Sequence, residues 1–197
     1  MAAARSARVD RKTGETQIQL TLNLDKQEPV SVATGVGFLD HMLQLLAFHA
    51  GMSLTVKATG DTYVDDHHTV EDVGIALGQA LNTALGDKSG IARYAHAYVP
   101  LNEALGRAVI DLCGRGQLEY AVPLTAAKVG TFDSELGYEF FRALSDSGKL
   151  TLHLDLIRGH NVHHCLEVLF KATGRALGEA MRAHSYRGDV VSTKGVL

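Results

Sequence analysis

The feature that most constrains this chain is a motif of two histidines and a glutamate, HHxxE, which occurs twice, 96 residues apart. Its members are His67, His68 and Glu71 in the first copy and His163, His164 and Glu167 in the second. When residues 67–81 are compared with 163–177, seven of the fifteen positions are identical. Similarity at a fixed period predicts an internal duplication, so both halves should contain the same local fold.

The similarity continues upstream of each motif at an offset of 98 residues. Residues 52–56 align with 150–154, and the segment that begins at His41 aligns with the segment that begins at Glu139. We interpret the repeat as a unit of helix, strand, loop and helix. No linker rich in Pro, Gly or Ser separates the halves, which favours one compact domain. The predicted organisation is a single domain over 1–197, with repeats at about 1–90 and 91–190 and a C-terminal tail at 191–197.

Hydrophobic periodicity predicts both helices and strands in each repeat. Alternating or short apolar runs predict strands at 16–24, 54–58, 107–112, 118–122 and 150–156. Apolar residues at helical spacing predict helices at 38–48, 69–85 and 165–183, with Gly86 and Gly188 as stop signals. The predicted fold class is therefore α+β, a pseudo-twofold sheet-and-helix sandwich with sheets on one side and helices on the other.

Composition excludes several classes of function. Hydrophobic residues make up 46% of the chain and charged residues 21%, as in globular proteins. The net charge of -3 and the absence of Trp argue against nucleic-acid binding. No apolar run approaches the roughly 18 residues of a membrane span, so no membrane partner is expected. Two cysteines without a CxxC pair suit a reducing cytoplasm.

Each HHxxE motif places imidazole and carboxylate groups on one face of a predicted helix. Asp65 and Asn161, two residues before the motifs, are good capping residues, so each motif should occupy a first helical turn. Mixed nitrogen and oxygen donors suit Mn, Fe, Co, Ni or Zn better than Ca or Mg. A single copy would be explained better by surface or capping histidines than by metal binding. Its recurrence at matched repeat positions favours metal binding.

The duplication also extends the set of candidate ligands. The full set is His41, His67, His68, Glu71, Glu139, His163, His164 and Glu167. The second histidine of each pair points about 100° away from the first and so serves a different ion. Eight ligands would give two ions four ligands each and leave about two open positions on a six-coordinate ion. The motifs can meet within one subunit or across an interface.

Motifs along nearly the whole chain resemble the imidazoleglycerol-phosphate dehydratase family of histidine biosynthesis. They are GVGFLDHM (35–42), DDHHTVEDVGIALGQAL (65–81), DKSGIARYAHAYVPLNEAL (87–105), DLCGRG (111–116), NVHHCLEVLFKATGRAL (161–177) and STKGVL (192–197). The resemblance implies duplicated units like domain 2 of ribosomal protein S5. It also implies paired Mn ions and a homo-oligomer of 24 subunits with active sites where subunits meet. Many family members carry His at the position of Glu139, where a carboxylate can still bind Mn.

The resemblance implies a hydro-lyase that converts imidazole glycerol phosphate, a small phosphate ester, to imidazole acetol phosphate. The proton to be removed is not next to a carbonyl, so our hypothesis is a metal-bound imidazolate that expels the hydroxyl. Among the glutamates, Glu15 is favoured for proton transfer, with Glu71 and Glu167 as other candidates. The substrate-binding residues implied by the resemblance are Glu15, His41 and His49, with Arg93, Arg115, Ser192, Thr193 and Lys194 for the phosphate. The tail would then close over the substrate.

Two other classes of function remain open at this point. A dinuclear metallohydrolase could use similar ligands, but bridging carboxylates rather than histidines dominate such sites, and it would release phosphate. A metal-storage or cage protein would take up metal without dehydration and would not need Arg93, Arg115 and Lys194.

Overall fold

Residues 5–26, 29–184, 190–192 and 194 are described by the computed structural model, and they form two halves with the same order of elements apart from a small hairpin. The first half contains β1 (Ser6–Lys12), β2 (Thr16–Asn23), β3 (Ser31–Ala33), α1 (Gly37–Ala50), β4 (Ser53–Gly60) and α2 (His67–Leu85). The second contains β5 (Tyr94–Leu101), β6 (Ala104–Asp111), β7 (Gln117–Ala121), β8 (Lys128–Val129), β9 (Phe132–Asp133), α3 (Leu136–Gly148), β10 (Thr151–Arg158) and α4 (Val162–Ala180). The short strands β8 and β9 pair as the hairpin.

Each half forms a four-stranded mixed sheet, and the two sheets have the same strand order. The first sheet runs β1-β2-β4-β3 and the second runs β5-β6-β10-β7. In both sheets the last pair is parallel and the other pairs are antiparallel. The predicted α+β class is confirmed, and the matching strand order fits the predicted duplication.

Strand β2 illustrates how the sequence selects these elements. Ile18, Leu20 and Leu22 are fully buried or nearly so, while Gln17, Gln19 and the other alternate residues face solvent. A period of two therefore gives the sheet one apolar face, which the helices of the same half cover. The helices that carry the candidate site pack on the apolar face of each sheet.

The helices of the two halves pack against each other, α1 on α4 and α2 on α3, so they lie between the sheets. This corrects the prediction of sheets on one side and helices on the other. Glycines permit a backbone-to-backbone approach at both contacts. A Cβ at Gly78 would lie 2.6 Å from the Gly148 nitrogen and 2.8 Å from the Leu144 oxygen. A Cβ at Gly178 would lie 2.6 Å from the Ala50 oxygen. In each pair, the two helices from opposite halves therefore approach each other closely enough for their backbones to touch.

One sequence prediction is corrected near the end of the chain, and another lies outside the described residues. Helix α4 ends at Ala180, not at residue 183, and Gly188 lies outside the described residues. The helix stops early because the following backbone pairs with the segment before β5. The amide of Ala92 donates to the Arg182 oxygen, and the amide of His184 donates to the Gly90 oxygen. This pairing replaces the next helical turn.

Strands β1, β3 and β5 were not predicted by periodicity, because β1 and β3 contain no buried residue and β5 buries only Ala97 and Val99. None of the described helices combines the length and apolar character needed to cross a bilayer.

We predict that Gly78→Ala weakens the α2–α3 contact. The added methyl group must displace α3 backbone, so the free energy of unfolding should fall by about 1–3 kcal/mol. Urea unfolding of the metal-free chain measures this change. Gly37→Ala is the matched control, because a Cβ there meets nothing within 4 Å. Equal stability of the two variants would contradict the tight contact.

Candidate metal centre

Within the described residues, the four helices bring together two clusters of metal-ligand side chains. The first cluster is His41, His163 and Glu167, and the second cluster is His67, Glu71 and Glu139. In each cluster, one ligand atom per residue lies within 4.8 Å of the others. Each cluster takes two residues from one HHxxE motif and the third from the opposite half of the chain. Six of the eight predicted ligands are therefore brought together, three and three.

The helix starts hold these residues in place, but only Asn161 is the cap that the sequence predicted, because the N-cap of α2 is Asp66 and not Asp65. The Asp65 side chain accepts a hydrogen bond from the His67 amide at 2.8 Å. The Asn161 side chain accepts one from the His164 amide at 3.3 Å. Because both motifs begin a helix, the first histidine and the glutamate share one face at a spacing of four residues.

The first cluster centres on the buried carboxylate of Glu167. Its Oε2 lies 3.1 Å from His163 Nε2 and 3.5 Å from His41 Nε2. Lys171, one turn farther along α4, forms an ion pair with the same carboxylate. Burial opposes ionisation of Glu167, but the hydrogen bond and charge of Lys171 outweigh it and lower the pKa of this carboxyl. The cluster therefore presents two imidazoles and one carboxylate.

The second cluster has one imidazole and two carboxylates. Arg142 lies between the carboxylates, with its guanidinium 2.7 Å from Glu71 and 3.0 Å from Glu139. The guanidinium balances the negative charge that two adjacent carboxylates create. The carboxylate of Glu139 thus supplies an oxygen donor to this cluster. The two clusters differ in donor set, the second being richer in oxygen.

His68 and His164 belong to neither cluster in the described part of the chain, as expected from the turn between adjacent helical residues. The Nδ1 atom of His68 lies 3.0 Å from Asp61 Oδ2. The Nδ1 atom of His164 lies 3.0 Å from Glu103 Oε2. Hydrogen bonds from His164 and from the Asn161 amide lower the pKa of Glu103 to about 2, so Glu103 is a carboxylate at neutral pH.

Sequence reasoning missed both Asp61 and Glu103. Asp61 follows β4, and Glu103 lies in the turn between β5 and β6. Neither belongs to the HHxxE pattern, and their contacts span 7 and 61 residues of sequence. No local spacing signals such a contact.

Glu15 lies beside His68, not inside either cluster. Its Oε1 is 3.7 Å from His68 Nε2, and its side chain is half exposed. The turn before β2 holds it there, since the Glu15 amide donates to Thr13 Oγ1 at 3.1 Å. Glu15, the residue predicted to transfer a proton, thus lies beside His68, the histidine of the first motif that faces away from the second cluster.

His49 lies two turns after His41 on α1, about 12 Å along the helix axis. It lines a cavity of about 600 Å³ together with His96, Tyr98 and Arg175. Burial, and then the charges of Lys171 and Arg175, lower the pKa of His49 and favour its neutral form. The charge of Lys171 thus acts on Glu167 of the first cluster and on His49 of this cavity.

The residues expected to bind phosphate occupy different settings. Arg93 is buried and makes two hydrogen bonds to Asp111, at 2.8 and 3.2 Å, and one to the Val191 oxygen. Arg115 is exposed between β6 and β7. Ser192 accepts the Lys194 amide at 3.2 Å, while Thr193 and residues 195–197 lie outside the described residues. Arg93 therefore ties the start of the tail to the second sheet.

Comparison with known proteins gives consistent matches over the chain. The family profile described as imidazoleglycerol-phosphate dehydratase matches residues 34–177. The protein of that name from Streptococcus mutans serotype c is 56% identical over 193 residues, which is 98% of this chain and 100% of that protein. The one from Halorhodospira halophila is 55% identical over 196 residues, covering 99% of this chain and 100% of its own.

Two crystal structures match the fold. The imidazoleglycerol-phosphate dehydratase of Staphylococcus aureus subsp. aureus N315 is 46% identical, with a TM-score of 0.83 over 90% of this chain and 99% of that chain. The Pyrococcus furiosus structure of the same enzyme type is 33% identical, with a TM-score of 0.84 over 96% of this chain and 100% of that chain.

We predict that Glu139→Gln weakens metal binding at the second cluster, because it removes an anionic oxygen donor and leaves Arg142 facing Glu71 alone. The Mn dissociation constant of that cluster should rise at least tenfold, about 1.4 kcal/mol. Glu139→His, which supplies a nitrogen donor, should retain most of the affinity. Calorimetric titration of the metal-free chain measures both effects.

Glu135→Gln provides the control, since Glu135 is an exposed glutamate one turn earlier at the start of α3. Loss of affinity in this control equal to that of Glu139→Gln would contradict ligation by Glu139.

Proposed function

This chain belongs to the imidazoleglycerol-phosphate dehydratases, hydro-lyases of histidine biosynthesis, and we propose that two Mn ions held by its two clusters support the dehydration. The substrate is a small phosphate ester that bears an imidazole ring. The observation that carries the proposal is the assembly of two clusters of three ligands, each from opposite halves of the chain.

The donor sets fit a divalent transition metal. Imidazole nitrogen and carboxylate oxygen together suit Mn, whereas Ca and Mg prefer oxygen alone. Three ligands from one chain leave positions for a fourth protein ligand and for substrate. When bound, paired divalent ions would supply Lewis-acid stabilisation of the negative charge that develops on the substrate as water leaves.

The fourth ligands are His68 and His164, each donated to a cluster of a neighbouring subunit. Two observations support this arrangement. Both rings face away from their own cluster, and their Nδ1 sides are already occupied by carboxylates. Tyr63 and Val64, just before the first motif, are 90% and 58% exposed. Exposed apolar side chains mark interaction surfaces, and a cage of 24 subunits would cover them.

Glu15 is the proton-transfer residue in this proposal. Its carboxylate lies 3.7 Å from His68 Nε2. It would therefore lie next to the metal that this nitrogen binds in the neighbouring subunit. Glu71 and Glu167 are less suited, because Arg142 and Lys171 already engage their carboxylates. A general acid or base must lie within hydrogen-bond reach of the proton it moves.

The remaining residues bind the substrate's other end. His41 would contact the substrate at the metal end and His49 farther along α1, while Arg115, Ser192, Thr193 and Lys194 would bind the phosphate. Arg93 engages three of its five N–H groups with Asp111 and Val191, so it retains donors for phosphate while it anchors the closing tail. The two thiols, both free and buried, suit a cytoplasmic enzyme.

We expect chelated protein to stay folded but to lose dehydration of imidazole glycerol phosphate, and added Mn to restore turnover together with growth in particle mass. Product formation and light scattering on the same samples measure this. Full turnover after rigorous chelation would contradict the proposal, and release of phosphate would indicate a hydrolase instead.

Glu15→Gln separates metal binding from proton transfer. This variant should bind Mn and assemble normally but lose turnover by about 10²–10⁴-fold. Glu119→Gln, an exposed glutamate on β7, is the control. Unchanged turnover in Glu15→Gln would move the proton-transfer role to another group.

A further inference from the structure

We propose that Asp61 and Glu103 are positioning residues that fix the orientation and tautomer of His68 and His164, so that Nε2 of each ring is free to bind metal. The inference rests on the proposed role of these two histidines as ligands. In both halves a carboxylate oxygen lies 3.0 Å from Nδ1. An ionised carboxylate accepts a hydrogen bond and holds the ring proton on Nδ1.

The carboxylates that contact the two histidines come from different positions in the two halves. Asp61 follows β4, and the corresponding strand β10 is followed by Gly159, whereas Glu103 lies in the β5–β6 turn, which corresponds to the β1–β2 turn that contains Glu15. The two carboxylates are therefore not copies of one ancestral position. The same contact on both histidines, made from unrelated positions, indicates a shared requirement of the rings rather than a by-product of the duplication.

The Glu103 carboxylate is held by a backbone amide, and the main chain of Asp61 is held by two backbone hydrogen bonds. Glu103 Oε1 accepts the Asn161 amide at 3.0 Å, which ties it to the start of the helix that carries His164. The Asp61 amide donates to the Glu15 oxygen at 3.2 Å, and the Val64 amide donates to the Asp61 oxygen at 2.8 Å. Each ring is thus clamped against a fixed support before any metal arrives.

The consequence is a preorganised donor on each ring. With the proton held on Nδ1, the lone pair of Nε2 is available, and the carboxylate makes the ring a stronger donor. Without the carboxylate the ring can rotate and can place its proton on Nε2, where it would block the metal. Loss of such a supporting group typically lowers metal affinity by about 10–100-fold.

Glu103→Gln tests this directly. The Gln oxygen can keep the Asn161 amide contact, while its NH₂ group then faces Nδ1 and donates to it, which moves the ring proton to Nε2. We expect ¹⁵N spectra of the metal-free full chain to report a change from the Nδ1–H to the Nε2–H tautomer at His164. We also expect the Mn dissociation constant to rise about 10–100-fold, with an unchanged urea midpoint.

Asp61→Ala is the corresponding test at His68. It should lower Mn affinity to a similar degree, since within the described part of the chain Asp61 is the side chain that hydrogen-bonds this Nδ1. Asp10→Asn is the control, because Asp10 is an exposed carboxylate paired with Arg8. A tautomer and an Mn affinity that are unchanged in Glu103→Gln would overturn the proposal, as would an affinity loss matched by an equal loss in the control.

His164→Ala separates this inference from the function on which it rests. Retention of full Mn affinity in His164→Ala would overturn the ligand assignment, and with it any role for Glu103 in metal binding. Loss of affinity in His164→Ala, combined with an unchanged tautomer in Glu103→Gln, would keep the ligand and overturn only the positioning contact.

Discussion

The close packing of helices from opposite halves is the interaction on which the rest of the structure depends. Gly78 and Gly178 let α2 approach α3 and α4 approach α1 at backbone distance. This approach carries His41 to the second motif and Glu139 to the first. Each metal cluster is therefore a product of the interface between halves, and neither half contains a complete cluster. The duplication places candidate ligands in both halves, and the helix contacts bring them together into clusters.

The helix contacts bring several carboxylates close together, and two basic side chains offset their negative charge. Lys171 lies one turn after Glu167 on α4, and Arg142 lies one turn after Glu139 on α3. These cations let carboxylates and imidazoles stand together in the metal-free chain, since unpaired carboxylates in a shared site resist ionisation. A divalent ion must then compete with the resident cations. The same carboxylates thus pair with Lys171 and Arg142 in the metal-free state and would bind the ion in the metal-bound state.

The repeat made much of the site predictable. Six candidate ligands could be predicted because they occupy matched positions of the repeat. That each cluster would combine opposite halves could not be predicted, because it depends on which helix faces pack. Asp61 and Glu103 were missed for a related reason: they act through contacts that no spacing marks. The early end of α4 followed from backbone pairing around Gly90, a long-range event that overrides local helix signals.

The central claim is that two distinct metal clusters are each built across the two halves of one chain, and metal stoichiometry tests it most directly. Mn bound per chain should be counted by elemental analysis for the unaltered protein and for His41→Ala. The account predicts two ions per chain, and about one in the variant, because His67, Glu71 and Glu139 remain intact. Two tightly held ions in His41→Ala, or a single ion in the unaltered protein, would contradict it.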